Sequence, residues 1–124
     1  MQTIRDVMST ELVTVAPDAT VAEAASVMSA KHVGSSIVLD EEGSLTGIFT
    51  ERDILRALGS DFDAAAHTVA EWMSRDPATI DVGATVPEAL DRMLGEGFRH
   101  LPVLDAGVLV GVVSLRDLSR GTGD

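Results

Sequence analysis

The chain has 124 residues, of which 45% are hydrophobic and 23% are charged, so it can fold as one ordinary domain. Nine Lys and Arg residues stand against 20 Asp and Glu residues, and the resulting net charge of −11 makes nucleic acid and anionic lipid surfaces poor partners. The lack of cysteine excludes disulfides, thiol nucleophiles and cysteine-based zinc sites. No apolar run has the length of a signal peptide or a membrane span, so we expect a cytoplasmic protein.

The first half of the chain predicts a strand, a helix, two strands and a helix. In order, these are Leu12–Val15, a helix after Thr20, Ser36–Leu39, Leu45–Thr50 and a helix from Thr50. Thr20 and Glu23 have the spacing of a capping box, which predicts the start of the first helix. The turn at Glu41-Glu42-Gly43 predicts a hairpin between the two later strands. The polar, alanine-rich segment Gly59–His67 is expected to be a linker.

The second half predicts the same elements in the same order. They are Thr79–Ile80, a helix after Thr85, Leu101–Leu104, Val108–Ser114 and a helix from Ser114. Thr85 and Glu88 repeat the capping box of the first half. The turn at Ala106-Gly107 predicts a second hairpin.

The two halves are copies of each other, and we divide the chain into repeat 1 at residues 1–62, which includes the start of the linker, and repeat 2 at residues 63–124. Val7-Met8-Ser9 matches Trp72-Met73-Ser74, and the correspondence continues to the last helix. Each repeat has too little core to fold alone. We therefore expect an α+β fold in which two β-α-β-β-α repeats pack about a pseudo-twofold axis through their small sheets. Remaining apolar surface is expected to close a homodimer.

The duplicated pattern resembles a pair of CBS domains, the regulatory tandem called a Bateman module. The resemblance is carried by Val7-Met8-Ser9, Ala19-Thr20-Val21-x-Glu23-Ala24, Gly47–Asp53, Phe98–Asp105 and Gly111–Asp117. It covers essentially the whole chain. It implies clefts between the copies that bind adenosine-containing ligands such as AMP, ADP, ATP, NAD or S-adenosylmethionine, with no required cofactor. It also implies that the output passes to a separate protein partner.

The first candidate site is a hydroxyl–carboxylate pair at each junction between strand and helix, namely Thr50 with Asp53 and Ser114 with Asp117. A helix N-terminus offers free N–H groups to phosphate, and a carboxylate can accept hydrogen bonds from both hydroxyls of a diol. The resemblance implies that Asp53 and Asp117 hold ribose and that the two hydroxyls lie near phosphate. The same spacing is that of a capping box, so local helix capping is the alternative, and the two roles can coexist.

The second candidate site is Arg99-His100, just before a predicted strand. Arginine supplies a planar fork for phosphate oxygens, and histidine can donate a hydrogen bond. The alternative is a surface ion pair between Arg99 and a nearby carboxylate, with His100 half-buried. The first repeat has Gly34-Ser35-Ser36 where the second has Arg99-His100-Leu101, so the two clefts are expected to differ in charge.

Weaker candidates complete the set. Arg116 and its counterpart Arg52 precede the two aspartates, and each is a phosphate ligand or, as we favour, a solvated charge. The resemblance implies adenine contacts around the first strand of each repeat, while ordinary strand packing is the simpler interpretation for the residues concerned: Thr14, Val15, Thr79 and Ile80. The three histidines lack metal-ligand spacing, so we expect no metal site.

The leading functional hypothesis is a regulatory module that senses an adenine nucleotide. The alternative is a ligand-free dimeric scaffold that binds a partner protein. We expect no enzyme, since the sequence contains no legible set of nucleophile, base and orienting residue.

Overall fold

Short strands and helices alternate along the chain in the computed structural model, which describes residues 1–60 and 63–122. In chain order the elements are α1 (Ile4–Val7), β1 (Thr14–Val15), α2 (Val21–Lys31), β2 (Ser35–Leu39), β3 (Leu45–Thr50), α3 (Glu51–Ser60), α4 (Val69–Trp72), β4 (Ser74–Arg75), β5 (Ile80–Asp81), α5 (Val86–Glu96), β6 (His100–Asp105), β7 (Val108–Ser114) and α6 (Leu115–Thr122). The architecture is mixed α+β with two small sheets, which confirms the predicted fold class. None of the helices in the described part of the chain combines the length and apolar character needed to cross a membrane.

The chain divides into two compact units that do not follow the two sequence repeats. The central unit is Val13–Pro77, and the terminal unit joins Met1–Leu12 to the described residues from Ala78 onward. Each unit therefore contains the five elements predicted for one repeat together with the segment that precedes those elements in the other repeat. The division of the sequence into repeats at residue 62 stays a prediction.

The central unit has a four-stranded sheet in the order β1-β2-β3-β4. β1 lies parallel to β2, whereas β2 and β3 form the predicted antiparallel hairpin, with Ile37 opposite Ile48. One face of this sheet carries the core of the unit, whose fully buried side chains include Phe49, Val21 and Val69. The sheet and its hairpin place the end of β3 directly before α3.

The terminal unit repeats this arrangement with a sheet in the order β5-β6-β7. β5 lies parallel to β6, and β6 and β7 form the second predicted hairpin. Ser9 adds a bridge to the free side of β7, since Ser9 and Val112 exchange backbone hydrogen bonds of 2.9 and 3.0 Å. Ser74 and Ile48 form the matching pair in the central unit. The Met-Ser motif of each repeat thus closes a sheet edge.

Two short helices and one helix end differ from the expectation. α1 and α4 have four residues each, too few for the side-chain periodicity that predicts longer helices. α3 continues through Gly59 and Ser60, which we assigned to the linker. Asp61 and Phe62, which also belong to the predicted linker, lie outside the described residues.

The predicted capping boxes form at both long helices. Thr20 Oγ1 accepts a hydrogen bond of 3.0 Å from the Glu23 N–H, and the Glu23 carboxylate accepts one of 3.1 Å from the Thr20 N–H. Thr85 and Glu88 repeat the pattern at α5. Because each box satisfies two N–H groups that have no partner within the helix, it defines where the helix begins.

Two of the capping carboxylates predict a dependence of stability on acid. The hydrogen bond from the Thr20 N–H lowers the pKa of Glu23, and the hydrogen bond from the Thr68 N–H, helped by His67, lowers the pKa of Glu71. A lowered pKa in the folded state adds stability above the unfolded pKa, and this stability is lost as pH falls through the folded pKa. We measure the free energy of unfolding in urea at about pH 7 and at about pH 3.5. We expect it to fall less between these two pH values in the double variant Glu23→Gln/Glu71→Gln than in the wild type. Glu41→Gln, in an exposed turn, is the control, and an equal loss in all three proteins would contradict the assignment.

Candidate functional site

The candidate site residues lie at two equivalent places, where the last strand of each hairpin runs directly into a helix. β3 ends at Thr50 and α3 begins at Glu51, while β7 ends at Ser114 and α6 begins at Leu115. No residue separates strand from helix at either junction. The hydroxyl of the last strand residue and the carboxylate three residues later therefore meet at the helix N-terminus.

In the central unit, Asp53 is tied to the start of its own helix. Its Oδ2 accepts hydrogen bonds from the Thr50 N–H at 2.9 Å and from the Thr50 hydroxyl at 3.2 Å. The Asp53 N–H donates in return to Thr50 Oγ1 at 3.4 Å. Asp53 is only 5% exposed, so this carboxylate lies nearly out of solvent.

The terminal unit shows the same geometry at Asp117. Its Oδ2 accepts a hydrogen bond of 2.9 Å from the Ser114 N–H, and the Asp117 N–H donates to Ser114 Oγ at 3.0 Å. The Asp117 side chain is 13% exposed. Helix capping, the alternative role for these residues, is therefore present at both junctions. Ribose binding by Asp53 and Asp117, and phosphate contacts of Thr50 and Ser114, stay predictions.

The second oxygen of each aspartate is bound by an arginine one helical turn later. Arg56 Nη1 donates to Asp53 Oδ1 at 3.2 Å, and Arg120 Nη2 donates to Asp117 Oδ1 at 2.6 Å. These arginines were not among the site residues predicted from the sequence. The signal was the spacing Asp-x-x-Arg in both repeats, which puts the two side chains on one helix face.

Within the described part of the chain, the arginine of the central unit has a further partner with no counterpart in the terminal unit. The guanidinium carbon of Arg56 lies 5.6 Å from the centre of the Trp72 ring, within the range of a cation–π interaction. Val7 stands at the position of repeat 1 that corresponds to Trp72. The two junctions therefore share the carboxylate and the arginine but differ in the aromatic ring.

Arg99 and His100 lie beside the junction of the terminal unit. His100 is paired with Ser114 across the β6–β7 hairpin, and the Arg99 carbonyl accepts a hydrogen bond of 2.8 Å from the Leu115 N–H. The Arg99 side chain is exposed, and no carboxylate of the described residues forms an ion pair with it; His100 is half-buried. In the central unit the corresponding hydrogen bond joins the Glu51 N–H to the Gly34 carbonyl at 3.0 Å. Only the terminal junction thus has this pair of basic residues.

The remaining predicted residues are placed near the junctions without showing a ligand role. Arg52 and Arg116 are exposed in the first turns of α3 and α6. The four candidates for adenine contact lie in or beside β1 and β5. Ile80 is in the core of its unit and Val15 packs against the core of the other, whereas Thr14 is exposed. The Thr79 carbonyl accepts a hydrogen bond from Arg92. Adenine contacts of these residues, and phosphate contacts of Arg99, His100 and Arg116, stay predictions. Within residues 1–60 and 63–122, no three acidic or histidine side chains form a metal-binding group.

Two curated relatives are similar to this chain over nearly its whole length. An uncharacterized 17.7 kDa protein of Acidianus ambivalens is 39% identical over 123 residues, which are 98% of this chain and 73% of that protein. The CBS domain-containing protein YhcV of Bacillus subtilis is 37% identical over 120 residues, which are 96% of this chain and 84% of that protein.

Solved structures and a family profile agree with this similarity. The CBS-domain containing protein ATU1752 of Agrobacterium tumefaciens has a TM-score of 0.91 at 30% identity, with 98% of this chain and 99% of that chain covered. The CBS domain pair of protein MJ0100, solved with 5′-methylthioadenosine and S-adenosyl-L-methionine, has a TM-score of 0.87 at 28% identity (99% and 97% covered). CBSX2 in complex with AMP has a TM-score of 0.82 at 25% identity (98% and 96% covered). The profile of the CBS domain matches twice, at residues 4–60 and 69–122. The chain therefore belongs to the CBS domain family.

Proposed function

We propose that this chain is a regulatory module that binds an adenosine-containing small molecule at its strand-to-helix junctions and signals to a separate protein. One observation carries the proposal: at each junction, one oxygen of the aspartate caps the helix, and a solvent-exposed arginine is the partner of the other oxygen among the described residues. The MJ0100 pair with 5′-methylthioadenosine and S-adenosyl-L-methionine, and CBSX2 with AMP, support this choice of ligand class.

The carboxylates have the chemistry that a ribose diol requires. An ionised carboxylate accepts hydrogen bonds through two oxygens and has about four lone-pair sites. With Oδ2 of Asp53 retained by Thr50, Oδ1 can accept ligand hydroxyls once the arginine is displaced. The cap itself then need not open, so ligand binding leaves the start of the helix intact. Asp117 has the same arrangement, with Oδ2 retained by Ser114 and Oδ1 bound by Arg120.

The terminal junction has more groups that can bind the phosphate of a nucleotide than the central junction. The helix N-terminus there has a positive dipole end, and Arg99 is an exposed cation without an ion-pair partner among the described residues. Gly34 occupies the matching place in the central unit and offers no charge. We therefore propose that Asp117, Ser114 and Arg99 together prefer a phosphorylated ligand. The junction at Asp53 depends more on the nucleoside.

The ligand class is tested by thermal melting with AMP, ATP, NAD, S-adenosylmethionine and 5′-methylthioadenosine. A ligand that binds the folded state raises the melting temperature, and a concentration of a hundred times Kd stabilises the protein by about 2.7 kcal/mol. We expect at least one of these compounds to do so. We also expect Asp53→Asn/Asp117→Asn, which keeps an oxygen for each cap, to lose most of the rise. A rise that survives in this variant would refute the assignment of the site.

A ligand-free scaffold is the second candidate, because α3 presents apolar side chains to solvent. Leu55 and Leu58 are both exposed on this helix, three residues apart and therefore on one face. Ser119 and Thr122 stand at the corresponding positions of α6, so the apolar pair is not part of the repeated pattern. No change in melting with any adenosine compound, together with a stable dimer in sedimentation, would favour the scaffold.

A further inference from the structure

We propose that Arg56 is a latch on Asp53: its guanidinium occupies the carboxylate oxygen that a ligand diol needs, and the ring of Trp72 holds the guanidinium there. The latch rests on the proposed function, since it controls access to the same carboxylate. It goes further by making Trp72 the residue that sets the ligand affinity of the central junction relative to the terminal one.

The hydrogen bonds of Asp53 explain why the arginine must leave. Two donors of Thr50 converge on Oδ2, at 2.9 and 3.2 Å, and the Arg56 guanidinium is bound to Oδ1 at 3.2 Å. The carboxylate is nearly buried, and the guanidinium lies at the oxygen that the cap does not use. Both occupants use the same nearly buried oxygen, and in this proposal the two hydroxyls of the diol take both of its lone pairs and displace Arg56.

Arg56 is exposed, whereas its aromatic partner packs against the core. The arginine side chain is 59% exposed, so it can swing into solvent without unfolding the helix. Trp72 is half-buried and packs against the hydrophobic core of the central unit. The ring thus gives the guanidinium a surface that is packed against the core and lies 5.6 Å away, a distance typical of an attractive cation–π contact.

The terminal junction supplies an internal comparison. Arg120 binds Asp117 in the same way and more closely, at 2.6 Å, but its side chain is 71% exposed and the Trp72 position is occupied by Val7. Among the described residues, Arg120 therefore has one partner, Asp117, where Arg56 has two, Asp53 and Trp72. The ion pair of Arg120 with Asp117 is more exposed and has no aromatic ring behind it, so it is easier to break than that of Arg56 with Asp53.

The latch is tested in an Asp117→Asn background, in which only the central junction keeps its carboxylate. The probe is 5′-methylthioadenosine, because it has a ribose diol but no phosphate that Arg56 could attract. We expect Arg56→Met to tighten binding by about two- to fivefold in calorimetry, since a competing ion pair of this kind is removed. We expect Trp72→Leu to tighten it by a smaller factor. Arg52→Met is the matched control, because it removes an exposed arginine of the same helix that does not touch Asp53.

The emission of Trp72, the only tryptophan of the chain, gives a second readout. We expect 5′-methylthioadenosine to change this emission in the Asp117→Asn protein and to leave it unchanged once Arg56→Met has removed the stacked cation. Weaker or unchanged binding in both Arg56→Met and Arg56→Gln, with folding verified by circular dichroism, would overturn the latch. Calorimetric binding without a change of emission would also overturn it while leaving the proposed function standing. Absence of binding by every adenosine compound to the wild type would overturn both.

Discussion

Replacing Ile4 with alanine is expected to lower the free energy of unfolding of the terminal unit by about 2–4 kcal/mol. Ile4 is 0% exposed and lies in the core that α5, β6 and β7 build at the other end of the sequence. Its N–H also donates to the Ala84 carbonyl at 2.9 Å. Truncation to alanine removes buried methyl groups and leaves a cavity, because a backbone held by such hydrogen bonds collapses only partly.

Urea unfolding measures the effect, and Arg5→Ala is the neighbouring control. Arg5 belongs to the same short helix, but its ion pair with Asp105 is exposed, so its loss is expected to cost less than about 1 kcal/mol. If Ile4→Ala costs no more than Arg5→Ala, the first twelve residues do not belong to the core of the terminal unit. The exchange of leading segments between the sequence repeats would then be wrong.

A single methyl group added at Gly111 is expected to destabilise the terminal unit by about 2–3 kcal/mol. A Cβ atom at this position would lie 2.6 Å from the Ser9 carbonyl oxygen and 3.0 Å from the sulfur of Met8. The Ser9 carbonyl is a backbone group, and it accepts a hydrogen bond from Val112, which lies next to Gly111 on β7. The strand and the Met-Ser segment must therefore move apart, and two backbone hydrogen bonds are strained.

Gly95→Ala is the matched control for Gly111→Ala, since a Cβ at Gly95 meets no atom within 4 Å. Gly95 lies inside α5, where alanine is the better helix former, so the control is expected to raise stability by up to about 1 kcal/mol. The two glycine variants should thus have opposite signs in urea unfolding. Gly111→Ala with wild-type stability would show that the Met-Ser segment does not close this sheet edge.

The repeated elements were predictable because each is specified by residues close together in sequence. The capping boxes at Thr20 and Thr85 involve groups three residues apart, and the hairpins are bounded by Gly43 and Gly107, which adopt positive φ angles of 81° and 84°. These local signals occur in both repeats, so each element predicted in one repeat was also predicted at the matching position of the other. The element order followed from them.

The exchange of leading segments could not be seen in the sequence. Ser9 finds its partner Val112 at the far end of the chain, and Ser74 finds Ile48 within the preceding repeat. An internal duplication shows that Met-Ser segments are equivalent, but it does not say which copy each one packs against. The close approach to Gly47 and Gly111 appears only in three dimensions.

The two aspartates of the candidate site were predicted from the sequence, but the arginines that bind them in the structure were not. Asp53 and Asp117 were predicted from the sequence as site residues, with helix capping and ribose binding as their two possible roles. The structure shows the capping in full, and it adds Arg56 and Arg120, which occupy the oxygen that capping leaves open. The arginines escaped selection because a charge in an exposed helix turn usually has no specific partner. An Asp-x-x-Arg pair in both repeats was the available clue.

The central claim is that the free oxygens of Asp53 and Asp117 accept the ribose hydroxyls of the ligand. Its most direct test is a cycle of four calorimetric affinities: AMP and its 2′,3′-dideoxy analogue, each with the wild type and with Asp53→Asn/Asp117→Asn. We predict that removal of the diol weakens binding to the wild type by about tenfold to a hundredfold, the worth of a hydrogen bond to a charged group. In the asparagine variant the same removal should change the affinity little. An equal loss in both proteins, or no loss in the wild type, would contradict the account.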